Sequence, residues 1–138
     1  MSKKCRGSCL CGIVEYEING NLGMFQYCHC SRCQKVTGSA HAANLLVRPD
    51  QFKWLQGESE VRYYTNDDFK YFGSGFCSTC GSNLPWLSKS GKAYIVPAGT
   101  LNDDPGIKPD KNIFCGSRGD WYKHVKDLPE FDVMPPSR

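Results

Sequence analysis

No apolar stretch in these 138 residues approaches the roughly 18 to 20 consecutive residues that a membrane-crossing helix needs. The opening Met-Ser-Lys-Lys-Cys-Arg has no apolar signal core behind it, so export is not expected and the cytoplasm is the expected compartment. A charge surplus is lacking too. The 17 basic and 14 acidic side chains leave a formal net charge of +3, too weak a bias to imply a nucleic-acid or membrane partner. There is no basic run of the kind nucleic-acid binding needs, no internal repeat, no low-complexity tract and no long linker. No window carries a long amphipathic helix. Hydrophobic residues at 40% and charged residues at 22% are ordinary globular values. The length suits one domain spanning residues 1–138, large enough to bury a core without metal as its sole support.

Short β-like segments broken by Gly, Asn, Asp, Ser and Pro fill the chain instead. Residues 13–18 alternate, with Val14, Tyr16 and Ile18 on one side and Glu15 and Glu17 on the other, and Asn19-Gly20-Asn21 closes them as a turn. Residues 25–28, 42–47, 52–55, 60–65, 70–76, 84–87, 93–97 and 113–115 read as further strands. Residues 31–37 predict one or two helical turns ended by Gly38. Residues 101–111, rich in Asp, Pro and Gly, predict an irregular stretch, and the closing Pro135-Pro136-Ser137-Arg138 a frayed end. The fold expected is mainly β: small antiparallel sheets around a structural zinc site, with short helical turns and long irregular loops.

Nine cysteines are present, an odd number that argues against a fully paired disulfide framework. In a reducing compartment, clustered cysteines read as metal ligands or reactive groups. Seven of them fall in three clusters: Cys9-Leu10-Cys11, Cys28-His29-Cys30-Ser31-Arg32-Cys33 and Cys77-Ser78-Thr79-Cys80-Gly81. Zinc takes about four soft ligands in a tetrahedron. The two-residue gap between Cys77 and Cys80 lets both sulfurs of one turn reach one ion, and Gly81 permits the tight backbone such a turn needs. A Cys-x-Cys pair shares an ion if its backbone curls, since a regular strand sends the two side chains to opposite faces. The simplest closed site is Cys9, Cys11, Cys77 and Cys80, a structural zinc tying the N-terminal hairpin to the middle of the chain. Cys28, Cys30 and Cys33 offer three thiolates, and three protein ligands leave one position open, the mark of a reactive zinc. Spacing alone allows a closed site as well, with His29, His41, Cys5 or Cys115 as fourth ligand, and also a metal-free redox group. Two Zn²⁺ would add four positive charges and seven thiolates seven negative ones, cancelling the surplus of three.

Cys5 reads as a free thiol near a frayed N-terminus and Cys115, in an apolar run, as a packed core residue. His124 reads as a surface residue. Trp54, Trp86 and Trp121 read as core, with Trp86, just after the third cluster, also placed to line a pocket.

These residues carry a resemblance. Gly7-Ser8-Cys9-Leu10-Cys11-Gly12, residues 28–39 and Phe76-Cys77-Ser78-Thr79-Cys80-Gly81-Ser82-Asn83-Leu84 resemble three motifs of the glutathione-dependent formaldehyde-activating enzyme family, which also includes centromere protein V-like proteins. Residues 99–105, Trp121 and Leu128-Pro129-Glu130-Phe131 are similar to its C-terminal signature. The resemblance implies a β-rich fold around zinc, with a four-cysteine structural ion on Cys9, Cys11, Cys77 and Cys80 and a three-cysteine catalytic ion on Cys28, Cys30 and Cys33. It implies the joining of glutathione to formaldehyde as S-hydroxymethylglutathione, a carbon–sulfur lyase reaction run in reverse, with Arg32 or Lys35 available to a glutathione carboxylate. Members often carry histidine where this chain has Asn112. The alternatives are a non-catalytic zinc-stabilised glutathione carrier and a protein or nucleic-acid interaction module.

Overall fold

The computed structural model describes residues 3–123 and 127–136. His124 and the last two residues lie outside them. Among the described residues no helix is long and apolar enough to cross a membrane.

The chain folds into three small sheets. The first has the order β1 (Lys4–Ser8), β2 (Glu15–Asn19), β5 (Phe52–Gln56). The second, of five strands, runs β11 (Lys111–Ile113), β3 (Met24–Cys28), β4 (Ala42–Val47), β10 (Tyr94–Pro97), β9 (Trp86–Leu87). The third is β6 (Val61–Thr65), β7 (Gly73–Cys77), β8 (Asn83–Leu84). All pairings are antiparallel except β11 on β3. Helix α1 (Ser31–Thr37) occupies the expected residues and ends at Gly38, whose φ of 65° is the left-handed conformation glycine adopts freely. A short α2 (Asp120–Lys123) follows near the end of the chain. The mainly β expectation holds, as does the irregular run after Thr100, which reaches Asp110.

Three strands differ from the expectation. β1 escaped the sequence reading because Lys-Cys-Arg-Gly-Ser has no apolar alternation; its inward face is made of two small residues, Cys5 and Gly7. Cys5 is therefore buried in a strand, paired opposite Ile18, and does not lie on a frayed end. The strand expected over residues 84–87 is broken by the buried Pro85, which has no N–H to donate. Leu84 pairs into the third sheet and Trp86 into the second. The strand expected from Lys70 begins only at Gly73.

The five-stranded sheet has two unlike faces. Phe25, Leu45, Val47 and Val96 pack with Cys5, Tyr16, Ile18 and Phe52 of the first sheet into the main core. Phe52 stacks on Tyr94 at 4.1 Å between ring centroids and meets Trp54 edge-on at 4.9 Å. The alternating side chains Gln26, Cys28, Asn44 and Ile95 face the other way, into a cavity. A second core, Cys9, Val14, Val61, Cys77 and Leu84, joins the first sheet to the third.

Glu17 is almost fully buried and Arg6 Nε donates to it at 3.2 Å. Burial disfavours the carboxylate, but the Arg6 guanidinium, Lys4 and the Asn19 amide outweigh that and hold its pKa below the ordinary value of about 4.5. A lowered folded pKa contributes stability that is full above the unfolded value and is lost as pH falls through the folded one. Glu17→Gln is expected to lower the urea midpoint at neutral pH, with the gap from wild type closing below about pH 4.5, as measured by fluorescence-monitored unfolding across pH. A Cβ on Gly7 would sit 2.3 Å from the Tyr16 ring, whose hydroxyl pairs with Thr100 at 2.5 Å. Gly7→Ala is expected to cost about 1–3 kcal/mol. Gly99→Ala, which meets nothing within 4 Å, is expected to stay within about 0.5 kcal/mol in the same measurement.

Candidate metal centre and cavity

Cys9 and Cys11 stand in the turn between β1 and β2, where the Gly12 N–H returns to the Cys9 carbonyl at 3.1 Å and Gly12 takes a φ of 82°. That curl brings both sulfurs to one side, as a regular strand would not. Cys77 ends β7, and the N–H groups of Thr79 and Cys80 both turn onto its sulfur, at 3.4 and 3.5 Å. Gly81, at φ 77°, closes this knuckle with an N–H to the Cys77 carbonyl at 2.8 Å. The four sulfurs lie within 4.8 Å of one another. Cys9 to Cys11 is 3.6 Å and Cys11 to Cys77 is 3.9 Å. A tetrahedral zinc with bonds of about 2.3 Å spaces its sulfurs by roughly 3.8 Å, so the set fits that ion. Val14 also donates its N–H to Cys9 Sγ at 3.4 Å. The Ser82 hydroxyl, then the Ser82 and Cys11 backbone, hold the Cys80 thiol down to about 5. N–H and O–H donors of this kind favour thiolate, the form that binds metal.

Cys28 is the last residue of β3, Cys30 caps α1 and Cys33 lies in its first turn. The Cys33 N–H donates to Cys30 Sγ at 3.3 Å, the sulfur standing where a capping oxygen usually would. All three are buried, with sulfurs within 4.8 Å of one another. The thiol of Cys33 lowers Cys28 to about 6, while that same contact, with burial, pushes Cys33 well up. As thiolates the three would repel one another, and the donor set could hold a soft divalent cation such as zinc.

Among the described residues no fourth His, Cys, Asp or Glu joins this trio. His29 is fully buried with Nε2 2.9 Å from Asn112 Oδ1. His41 stacks on Tyr27 at 4.2 Å with Nδ1 by the Ala42 carbonyl at 3.2 Å. Cys5 sits in the main core, its thiol 3.6 Å from the Asp103 carbonyl. Cys115 is exposed in a short 3₁₀ turn and is not the core residue expected from its apolar neighbours.

The three thiols open instead onto a cavity of about 350 Å³ between the five-stranded sheet, the third sheet and α1. That volume lies in the range of small-molecule sites. Its walls are mostly apolar, with Phe72, Leu84 and Trp86, and carry the amides of Gln26 and Asn44. Arg32 lines it, whereas Lys35 is exposed and lies outside it. Trp86 is thus a cavity wall and Trp54 a core residue, while Trp121 is 65% exposed and does not pack as expected. Gln26 and Asn44 were missed in the sequence. They sit directly opposite each other on β3 and β4, and a polar residue at the centre of each of two apolar strands was the available signal.

Comparison with known proteins gives one family. The sequence model of the glutathione-dependent formaldehyde-activating enzymes matches residues 4–117, a span that contains all seven clustered cysteines. Trp121 and residues 128–131 lie beyond it. No curated protein matches. Among solved structures, the crystal structure of a Rhodobacter sphaeroides protein, a structural-genomics target, is similar in fold. It has a TM-score of 0.59 and 23% identity, over 78% of this chain and 97% of that one. On the family match across its length, this chain belongs to the glutathione-dependent formaldehyde-activating enzyme family.

Proposed function

We propose that residues 1–138 form one zinc-binding domain acting in the cytoplasm as a carbon–sulfur lyase, in the direction that joins a small thiol such as glutathione to formaldehyde as S-hydroxymethylglutathione. Cys9, Cys11, Cys77 and Cys80 would hold a structural zinc, and Cys28, Cys30 and Cys33 a catalytic one. The observation that carries this reading is the three-thiol cluster opening onto a cavity with no fourth protein ligand among the described residues. When bound there, zinc supplies the positive charge that lets a thiol lose its proton near neutral pH. The chain's own residues do the rest. The apolar walls formed by Phe72, Leu84 and Trp86 exclude water around the reacting sulfur. The sulfur's electron pair forms the C–S bond, the carbonyl π pair moves to oxygen, and that oxygen takes a proton, so nothing is oxidised or reduced. The amides of Gln26 and Asn44, on the cavity floor, are donors available to that oxygen.

A carrier without turnover is the second reading. It is favoured by one observation: among the described lining residues there is no carboxylate, imidazole or lysine to act as general acid or base. Titrating cobalt-loaded protein with millimolar glutathione separates the two. The lyase reading expects a change in the cobalt absorption and faster adduct formation with formaldehyde. A spectral change without acceleration selects the carrier, and neither effect rejects both.

The division of the cysteines has its own test. Cys77→Ser is expected to lower the thermal midpoint by on the order of 10 °C. Cys33→Ser is expected to keep a midpoint near wild type while losing one bound zinc and the thiol response, as read by metal analysis and calorimetry.

A further inference from the structure

The cavity onto which Cys28, Cys30 and Cys33 open is poorly matched to a hydrophilic ligand. Leu46, Phe72, Leu84, Trp86 and Ile95 are among its walls. Of the described lining residues, Arg32 alone carries a permanent charge and none is acidic. The Arg32 guanidinium carbon lies 5.2 Å from the centre of the Phe69 ring. Two of the lining hydroxyls are already engaged. Thr37 Oγ1 donates to the Cys33 carbonyl at 2.7 Å. Ser88 Oγ accepts the Ala93 N–H at 3.2 Å and pairs with Ser90 Oγ at 3.1 Å. A polar ligand body entering this space gives up hydrogen bonds to water for few in return. An apolar body gives up none and gains by leaving water.

The mouth adds two aromatic rings that the fold leaves in water. Phe114 and Tyr71 line the cavity from separate segments, yet are 57% and 78% exposed. Phe114 is held there against its own preference. Among the described residues only Phe114 and Asp127 combine a side chain with a positive φ, and Phe114 sits at φ 57° and ψ 39°, a conformation unfavourable for a bulky residue. Its neighbours enforce that conformation. The Ile113 carbonyl accepts the His29 N–H at 3.0 Å, and the Ser117 N–H returns to the Phe114 carbonyl at 3.0 Å. Gln34 Nε2 donates both to the His29 carbonyl at 2.7 Å and to the Ser117 carbonyl at 2.9 Å. A strained backbone that sets an apolar ring half in water, at the edge of an apolar cavity, is accounted for by a ligand that covers the ring.

We propose that the cavity takes thiols with an apolar body in preference to hydrophilic ones such as glutathione, the body lying along Phe72, Leu84 and Trp86 and covering Phe114 and Tyr71 at the mouth. This rests on the thiol reading of the Cys28, Cys30 and Cys33 cluster, and it concerns the part of the molecule that carries the sulfur. Phe114 and Tyr71 are its specificity determinants.

The test uses full-length cobalt-loaded protein titrated by absorption with mercaptoethanol, with glutathione and with straight-chain thiols from propanethiol to hexanethiol. In wild type the half-saturating concentration is expected to fall about two- to fourfold for each added methylene. Hexanethiol is expected to bind about tenfold or more tighter than glutathione. Phe114→Gly and Tyr71→Ser each flatten that series, and Phe114→Tyr retains it. Glycine adopts the left-handed conformation freely, so Phe114→Gly is expected to keep or raise the thermal midpoint while losing the preference. A purely structural role for the ring would lower the midpoint instead. No gain along the series, glutathione binding tighter than hexanethiol, or a series unchanged in both Phe114→Gly and Tyr71→Ser overturns the proposal and leaves the lyase reading standing. No absorption response to any thiol overturns the lyase reading, and this one with it.

Discussion

Cys9, Cys11 and Cys77 carry sulfurs 3.6 and 3.9 Å apart. Thiolates at such a spacing repel one another. A cation of two charges reverses the sign of that interaction, and the local backbone is arranged as though the reversal were assumed. N–H groups of Val14, Thr79 and Cys80 are spent on sulfur in place of carbonyl oxygen. The turn between β1 and β2 curls to bring two side chains together that a strand would separate. Much of the joint between the first and third sheets is this contact, with only a small apolar core of Val14, Val61 and Leu84 around it.

The same crowding at Cys28, Cys30 and Cys33 has a different outcome because of where the chain goes next. A strand end and a helix cap deliver three sulfurs to one point within six residues, and the fourth direction opens onto the cavity. The imidazole within that motif does not line the cavity: His29 is fully buried with Nε2 against the Asn112 amide oxygen. Asn112 does not line the cavity either.

The sequence made the cysteine groups legible because metal-type spacing is local, and it made α1 legible because Gly38 marks its end. β3, β4 and β10 of the five-stranded sheet were legible as short β-like segments between turn residues. What escaped was settled by distant partners. β1 has too little apolar character to announce itself and is a strand because β2 offers it a ladder. Cys5 and Cys115 exchanged their expected environments for the same reason: Lys4–Ser8 is pulled into the core, while the apolar run before Cys115 ends in a surface turn. The cavity floor of Gln26 and Asn44 could be assembled only once β3 and β4 were in register.

Pro85 separates two residues with different allegiances. Leu84 is packed among the Cys9 and Cys77 cluster, and Trp86 stands in the wall of the cavity beside the other three thiols. One rigid, fully buried residue spans the distance between them. Proline fixes φ and leaves the connection little slack, so the pairing of Leu84 in the third sheet and that of Trp86 in the second are held in a fixed relation. Leu84 lines the chamber as well, so the wall beside the inner thiols and the packing around the outer cysteines share one side chain.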